Sequence, residues 1–300
     1  MGHNHTHHEH GDEAQKNIVT AFVLNLAFAA IELVGGLWTN SVAILSDALH
    51  DFGDSVSLGV AWALQKKSNQ GRDTKFSYGY KRFSLLGSVF LSGVLLVSSI
   101  FIISEAVGRL FDPQEVHARG MFWLAIAGIV INGAAVLRLK KGHTLNERAV
   151  FLHLMEDVLG WVAVLVASVV MMFVNLPVLD PLLSLGITAW VLWNVWHNLR
   201  DTFRILLQAT PADINTARLT AEILNIKSVS SIHDLHVWSQ DGVTHVMTLH
   251  AVTAEGTTPE QSQRLIEAIR AIGHRHKIDH VTVEIESPSA PNCEYARDDK

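Results

Sequence analysis

Two His-x-x-x-Asp pairs stand inside stretches that are otherwise apolar: His50 with Asp54, and His153 with Asp157. Four residues is just over one helical turn, so each imidazole and its carboxylate project from one helix face. Two imidazole nitrogens and two carboxylate oxygens make a complete tetrahedral donor set for Zn²⁺, and Co²⁺, Cd²⁺ or Fe²⁺ accept the same donors. The setting gives the pattern its weight. A charge at the centre of a membrane helix costs about 2.5–3.5 kcal/mol on insertion scales, yet Ser41 to Leu64 is long enough to span and carries Asp47, Asp51 and Asp54. Hydrogen bonding between helices is the plainer reading, but ionisable residues at membrane depth are functional by default. Two carboxylates neutralise one divalent ion, and without it they must take protons or water. That competition can drive exchange of protons for metal. No G-x-x-x-x-G-K-[ST] occurs, so ATP is not an expected partner.

Glu32, Asp47, Asp51 and Glu156 flank these residues off the His50/Asp54 and His153/Asp157 faces. They are expected to hold the ligands or line the ion's path, with a structural role favoured for Asp47. A second cluster lies far along the chain, where His233, His236, His245 and His250 precede Glu284 and Glu286. Strand alternation sets Glu284 and Glu286 on one face, and His233, His250 and Glu286 form a candidate second metal site, on the cytoplasmic side. His3, His5, His7, His8 and His10 sit in a polar start that is too hydrophilic to pack and would collect metal weakly, if at all.

The elements that must position these groups follow from composition. Of 300 residues 49% are hydrophobic and only 17% charged, and the apolar runs fill the first two thirds, so a membrane domain precedes a soluble one. Six spans are expected near Asn17–Trp38, Ser41–Leu64, Phe83–Leu110, Met121–Leu139, Ala149–Asn175 and Leu182–Leu199. Span 3 lacks ionisable residues from Phe83 to Ser104 and span 6 nearly so, so these face lipid. Spans 1, 2, 4 and 5, which carry Asn25, Glu32, the aspartates, Asn132 and His153, form the inner bundle. Gly35, Gly36, Gly53, Gly59, Gly128 and Gly133 would let those backbones approach.

Lysine and arginine concentrate between spans 2 and 3 (Lys66, Lys67, Arg72, Lys75, Lys81, Arg82) and between spans 4 and 5, which places both termini in the cytoplasm. The polar, His-rich start does not read as a cleavable signal. Beyond Pro211 the pattern becomes helix (Asp213–Asn225), strand (Val229–Trp238), Asp241-Gly242 turn, strand (Val243–Val252), helix (Pro259–His276) and strand (His280–Glu286). This is a small α+β sandwich with its helices on one face of the sheet. The expected division is a tail (1–15), a six-helix transport domain (16–208), a cytoplasmic domain (209–287) and a second tail (288–300). A net charge of −6 without a basic stripe excludes a nucleic-acid partner, and the single cysteine, Cys293, excludes an internal disulfide.

With these residues in view the chain resembles the cation diffusion facilitator family, in its zinc-transporting branch. The resemblance covers about residues 14–293. It rests on S-V-A-I-L-S-D-A-L-H-D-F-G-D from Ser41, Y-G-Y-K-R-F from Tyr78, L-H-L-M-E-D-V-L-G from Leu152, H-D-L-H-V-W-S from His233 and V-T-V-E-I-E-S-P from Val281. It implies a homodimer of six-helix protomers, each with a ferredoxin-like cytoplasmic domain. Such a protein sits in the cell membrane among lipid and exports Zn²⁺ against inward H⁺ flow by alternating access. The family's transport ligands fall on His50, Asp54, His153 and Asp157, and its cytoplasmic metal site on His233, His250 and Glu286, where zinc would serve structure or regulation. Cys293 stands alone where some members carry a pair. The loop after span 2 has Asp73 but no histidine, so the extra metal site that some members have there is not expected. Two rival readings are a membrane-bound metal sensor and a membrane-embedded zinc hydrolase. The latter needs a motif such as H-E-x-x-H, which this chain lacks, so no enzymatic activity is expected.

Overall fold

The computed structural model describes residue 23 and residues 26–139, 145–174 and 176–287, with the side chains at 57, 58, 61, 62, 138, 139 and 145–154 outside that description. The five N-terminal histidines, Asn25, Cys293 and the side chain of His153 therefore lie outside the described residues. The chain divides into two compact units. The first runs to Ala63 and resumes over Gly87–Asn198; the second takes Leu64–Leu86 and the chain from Leu199 onward.

Among the described residues six helices come first, the first of them short: α1 (Leu26–Thr39), α2 (Val42–Ser68), α3 (Phe83–Phe111), α4 (Ala118–Leu139), α5 (Leu145–Phe173) and α6 (Leu179–Leu206). Among the described residues, Phe83–Phe111, Ala118–Leu137 and Met155–Phe173 are long and apolar enough to cross a membrane. Asp47, Asp51 and Asp54 dilute the apolar run of α2, and Asn194, His197 and Asn198 that of α6.

The buried core of the first unit is drawn from α1, α2, α4 and α5, through Phe28, Ala43, Ile44, Met121, Ala125, Trp161 and Val164. These are the helices whose polar residues called for an inward face. Gly128 admits the closest approach: Trp161 of α5 lies across it, so that a Cβ there would stand 2.3 Å from the indole. Gly35 takes Leu124 in the same way, at 2.6 Å. Gly59 and Gly133 meet nothing within 4 Å, so the close approach expected of them does not occur among the described residues. On the other side of α2, Val42 packs with Ile102 and Ala106 of α3, while Val97, Ile100 and Phe101 of α3 point outward.

The α1–α2 turn is fixed by charge and backbone together. Asn40 holds the left-handed conformation, φ +55°, which asparagine tolerates better than most residues. Arg109 of α3 donates to its backbone oxygen (2.6 Å) and to Oδ1 (2.9 Å). The first turn of α2 is capped from another helix. Asp180, at the start of α6, accepts from Val42 N at 2.7 Å and from Ser41 Oγ at 2.5 Å. Helix α6 begins at Leu179, three residues before the Leu182 expected from the sequence, and Asp180 in its first turn is the cap of α2.

The second unit holds α7 (Thr216–Leu224), β1 (Val229–Ser239), β2 (His245–Thr253), α8 (Pro259–Arg275) and β3 (His280–Glu286). The sheet order is β1-β2-β3, with β1 antiparallel and β3 parallel to the central strand. Leu219 and Ile223 of α7, Leu265 and Ile269 of α8, and Met247 and Leu249 of β2 form its core. Helix α7 starts three residues later than the sequence suggests, since Asn215 rather than Asp213 caps it, accepting from Arg218 N. Strand β2 starts two residues late because Asp241 Oδ1 takes the Val243 and Thr244 amides into the turn, with Gly242 at φ +89°. A capping box of Thr258 and Gln261 opens α8. In the loop after α2, Asp73 accepts from the Lys75 and Phe76 amides and from the Tyr80 hydroxyl at 2.7 Å, which holds its carboxyl below the ordinary range.

Candidate metal centre

His50 and Asp51 of α2 and Asp157 of α5 bring one donor atom each to within 4.8 Å of one another. Asp54 lies a turn along α2, its Oδ2 3.8 Å from His50 Nε2, but is not one of those three. Of the four ligands expected from spacing, three are therefore found in the same neighbourhood, and the side chain of the fourth, His153, lies outside the described residues. Asp51, expected to support the ligands or line the path, also brings an oxygen beside His50 and Asp157.

Packing explains why these groups converge. Asp157 lies one turn before Trp161, which is wholly buried, wedged over Gly128 and packed 5.7 Å from the ring of Phe28. That wedge sets the rotation of α5 and turns Asp157 inward. The Asp180 cap pins the start of α2 and with it the height of His50.

Glu32 of α1 and Asp47 and Asp51 of α2 are buried as well, and all three are close enough to Asp157 to repel it. Glu32 is wholly buried, and Trp161 Nε1 is the polar group facing it, without reaching hydrogen-bond geometry. Such a concentration of carboxylates in a low-dielectric interior calls for a cation. A cavity of about 630 Å³ opens onto the cluster, lined by Asp47, His50, Asp54, Glu156 and Asp157 and, across from them, by Trp190 of α6. Asp47 thus faces the cavity, and α3 and α6, expected against lipid, also line it, through Leu95 and Ile187.

The second unit carries its own convergence. Donor atoms of His233, His250 and Glu286 also lie within 4.8 Å of one another. His233 and His250 are paired across β1 and β2, with rings 5.1 Å apart. Glu286 Oε1 stands 2.8 Å from His250 Nδ1 and 3.4 Å from His233 Nε2. Asp234 and Glu284 approach His250 Nε2 at 3.6 and 3.5 Å. Asp234 was not anticipated. It adopts φ +53° where the β1 register shifts between His233 and His236, and that irregularity turns an in-strand aspartate toward the site. An aspartate between two histidines of one strand, His233 and His236, was the available signal. His236 and His245 do not join: the first pairs with Asp234 at 2.7 Å, and the second is buried 3.7 Å from Asp213.

The sequence matches the family model of the cation efflux transmembrane domain over residues 18–207 and that of the cation efflux protein, cytoplasmic domain, over residues 211–288. A cadmium, cobalt and zinc/H⁺-K⁺ antiporter of Bacillus velezensis is 33% identical over 96% of this chain and 92% of its own. The zinc transporter ZitB of Pectobacterium atrosepticum is 33% identical over 95% and 89%. The metal cation efflux system protein CzcD of Cupriavidus metallidurans is 32% identical over 99% and 93%. Buried donor clusters, apolar helices of membrane length and matches along nearly the whole sequence agree: the chain is an integral membrane protein of the cation efflux, or cation diffusion facilitator, family, whose members are transporters rather than enzymes.

Proposed function

We propose that this protein exports Zn²⁺ from the cytoplasm in exchange for H⁺ by alternating access, and that it also accepts Co²⁺ and Cd²⁺. The observation carrying this reading is the convergence of His50, Asp51 and Asp157 beside a cavity in a helical membrane unit. Nitrogen and carboxylate donors suit zinc, and the aspartates that release it must be neutralised by protons. The name of the Bacillus velezensis relative pairs cadmium, cobalt and zinc with H⁺ and K⁺, and that of the Pectobacterium atrosepticum relative gives zinc; both support the same ions here, and the first supports the proton coupling.

The transport ligands are His50, Asp54, His153 and Asp157, with Glu32, Asp47, Asp51 and Glu156 along the path. All six long helices span the membrane, those of α1, α2 and α6 being more polar because they carry the site or its supports. The lysine- and arginine-rich connections put both termini in the cytoplasm. The transport domain covers residues 16–208, and the α-β-β-α-β domain, 209–287, is ferredoxin-like. That domain joins two protomers into a homodimer and binds a regulatory zinc through His233, His250 and Glu286. The tails lie at 1–15, where the histidines collect metal weakly, and at 288–300.

The test is zinc uptake by inverted membrane vesicles. An inside-acid gradient is expected to accelerate uptake, and its collapse to slow it. Uptake indifferent to the gradient would remove proton exchange from the account.

A further inference from the structure

Helix α2 offers His50 two carboxylates, and they differ in surroundings. Asp54 is about one-fifth exposed and lines the cavity. Asp51 is wholly buried, is not among the residues lining the cavity, and neither of its oxygens has a hydrogen-bond partner among the described residues. One of those oxygens nevertheless lies within 4.8 Å of donor atoms on both His50 and Asp157.

Residues three apart on a helix are separated by about 4.5 Å along the axis and about 60° around it. The two carboxylates therefore reach the same imidazole from different heights. A fully buried carboxylate with no donor to satisfy it is an incomplete arrangement unless a cation visits it. Donors around a tetrahedral zinc are about 3.3 Å apart, so the three atoms need to close by about 1.5 Å at most, within the reach of side-chain rotation.

We propose that Asp51 is a direct ligand of the transported ion, closing an inner station that shares His50 and Asp157 with the cavity-facing station closed by Asp54. The ion passes from Asp54 to Asp51 while the two shared donors stay bound. Each station supplies two carboxylates, so the ion's charge is balanced throughout the transfer. The inference rests on the reading of the protein as a zinc exporter, and it adds a step inside the membrane unit.

Two variants of the full-length protein test it. Asp51→Asn keeps the shape and removes the charge. It is expected to lower zinc flux into proteoliposomes at least tenfold while eluting at the wild-type position on size exclusion; wild-type flux in the folded variant overturns the proposal. The second is Asp51→Cys with Cys293→Ser, which leaves one thiol in the chain. Thiolate is a soft donor that favours Cd²⁺. Titration with Cd²⁺ is expected to produce the ultraviolet thiolate-to-metal charge-transfer band, saturating at about one ion per protomer. A folded thiol variant that shows no band contradicts ligation even if its flux falls, because a residue that only positions others would lower flux without binding metal. The band does not depend on transport. If wild-type protein carried no zinc, the exporter reading would fail on its own, and the spectrum would still report on Asp51.

Discussion

Trp161 lies face-on over Gly128, so close that any side chain at position 128 would have to displace the indole. The contact joins α4 to α5 one turn from Asp157 and beside Glu32, and so couples helix packing to the orientation of the buried carboxylates.

Gly128→Val is therefore expected to act on both stability and transport. Overpacking of this kind costs about 1–3 kcal/mol. The thermal midpoint of the detergent-solubilised protein should fall, and zinc flux should fall further than the loss of folded protein accounts for. Gly133→Ala, at a position open to at least 4 Å, should leave the midpoint unchanged or raise it, since alanine suits a helix interior better than glycine. Equal effects of the two substitutions would show that the wedge does not position Asp157.

Asp180→Ala should destabilise the first unit chiefly through α2. The substitution removes the acceptor for Val42 N and Ser41 Oγ, and loss of a helix cap costs about 0.5–2 kcal/mol. Hydrogen exchange at the first amides of α2 is the appropriate measurement, and faster exchange there than in α4 is the expected result.

His250→Ala is expected to lower zinc bound at equilibrium by about one ion per protomer, since two histidines and a carboxylate supply three of the four donors of a closed zinc site. Metal analysis after dialysis measures the loss. Flux should persist, because His233, His250 and Glu286 belong to the second unit and the proposed transport ligands to the first.

The second unit should weaken in acid partly through Glu222. Hydrogen bonds from Arg275 first, then from Arg218 and His276, hold its carboxyl below the ordinary range. A lowered folded-state value stabilises the fold above the carboxylate's unfolded pKa of about 4.3. That stabilisation is lost as pH falls through the lower folded value. Far-ultraviolet melts between pH 6 and pH 3 should show a smaller acid decline for Glu222→Gln than for the wild type.

The sequence carried much of this arrangement and missed the rest for identifiable reasons. Hydrophobic runs and helical spacing located His50, Asp54 and Asp157, because both depend only on local geometry. Alternation and the Asp-Gly turn located the sheet, whose register then brings His233, His250 and Glu286 together. The approach of Asp51 to Asp157 was not legible, since it depends on how α2 is rotated against α5, which no local spacing fixes. Asp180 was hidden for a similar reason: it caps a helix 138 residues away. Asp234 acts only because the backbone of β1 breaks register, and no spacing rule foresees that break.

The exchange itself is measured most directly by following zinc and protons together. Purified protein is reconstituted into liposomes containing a pH-sensitive dye and a zinc indicator, and zinc is added outside. The expected result is zinc entry with simultaneous alkalinisation of the lumen in wild-type vesicles, and neither signal with Asp157→Ala, which stays dimeric. Zinc entry with no accompanying proton movement, or wild-type signals from Asp157→Ala, would contradict the account.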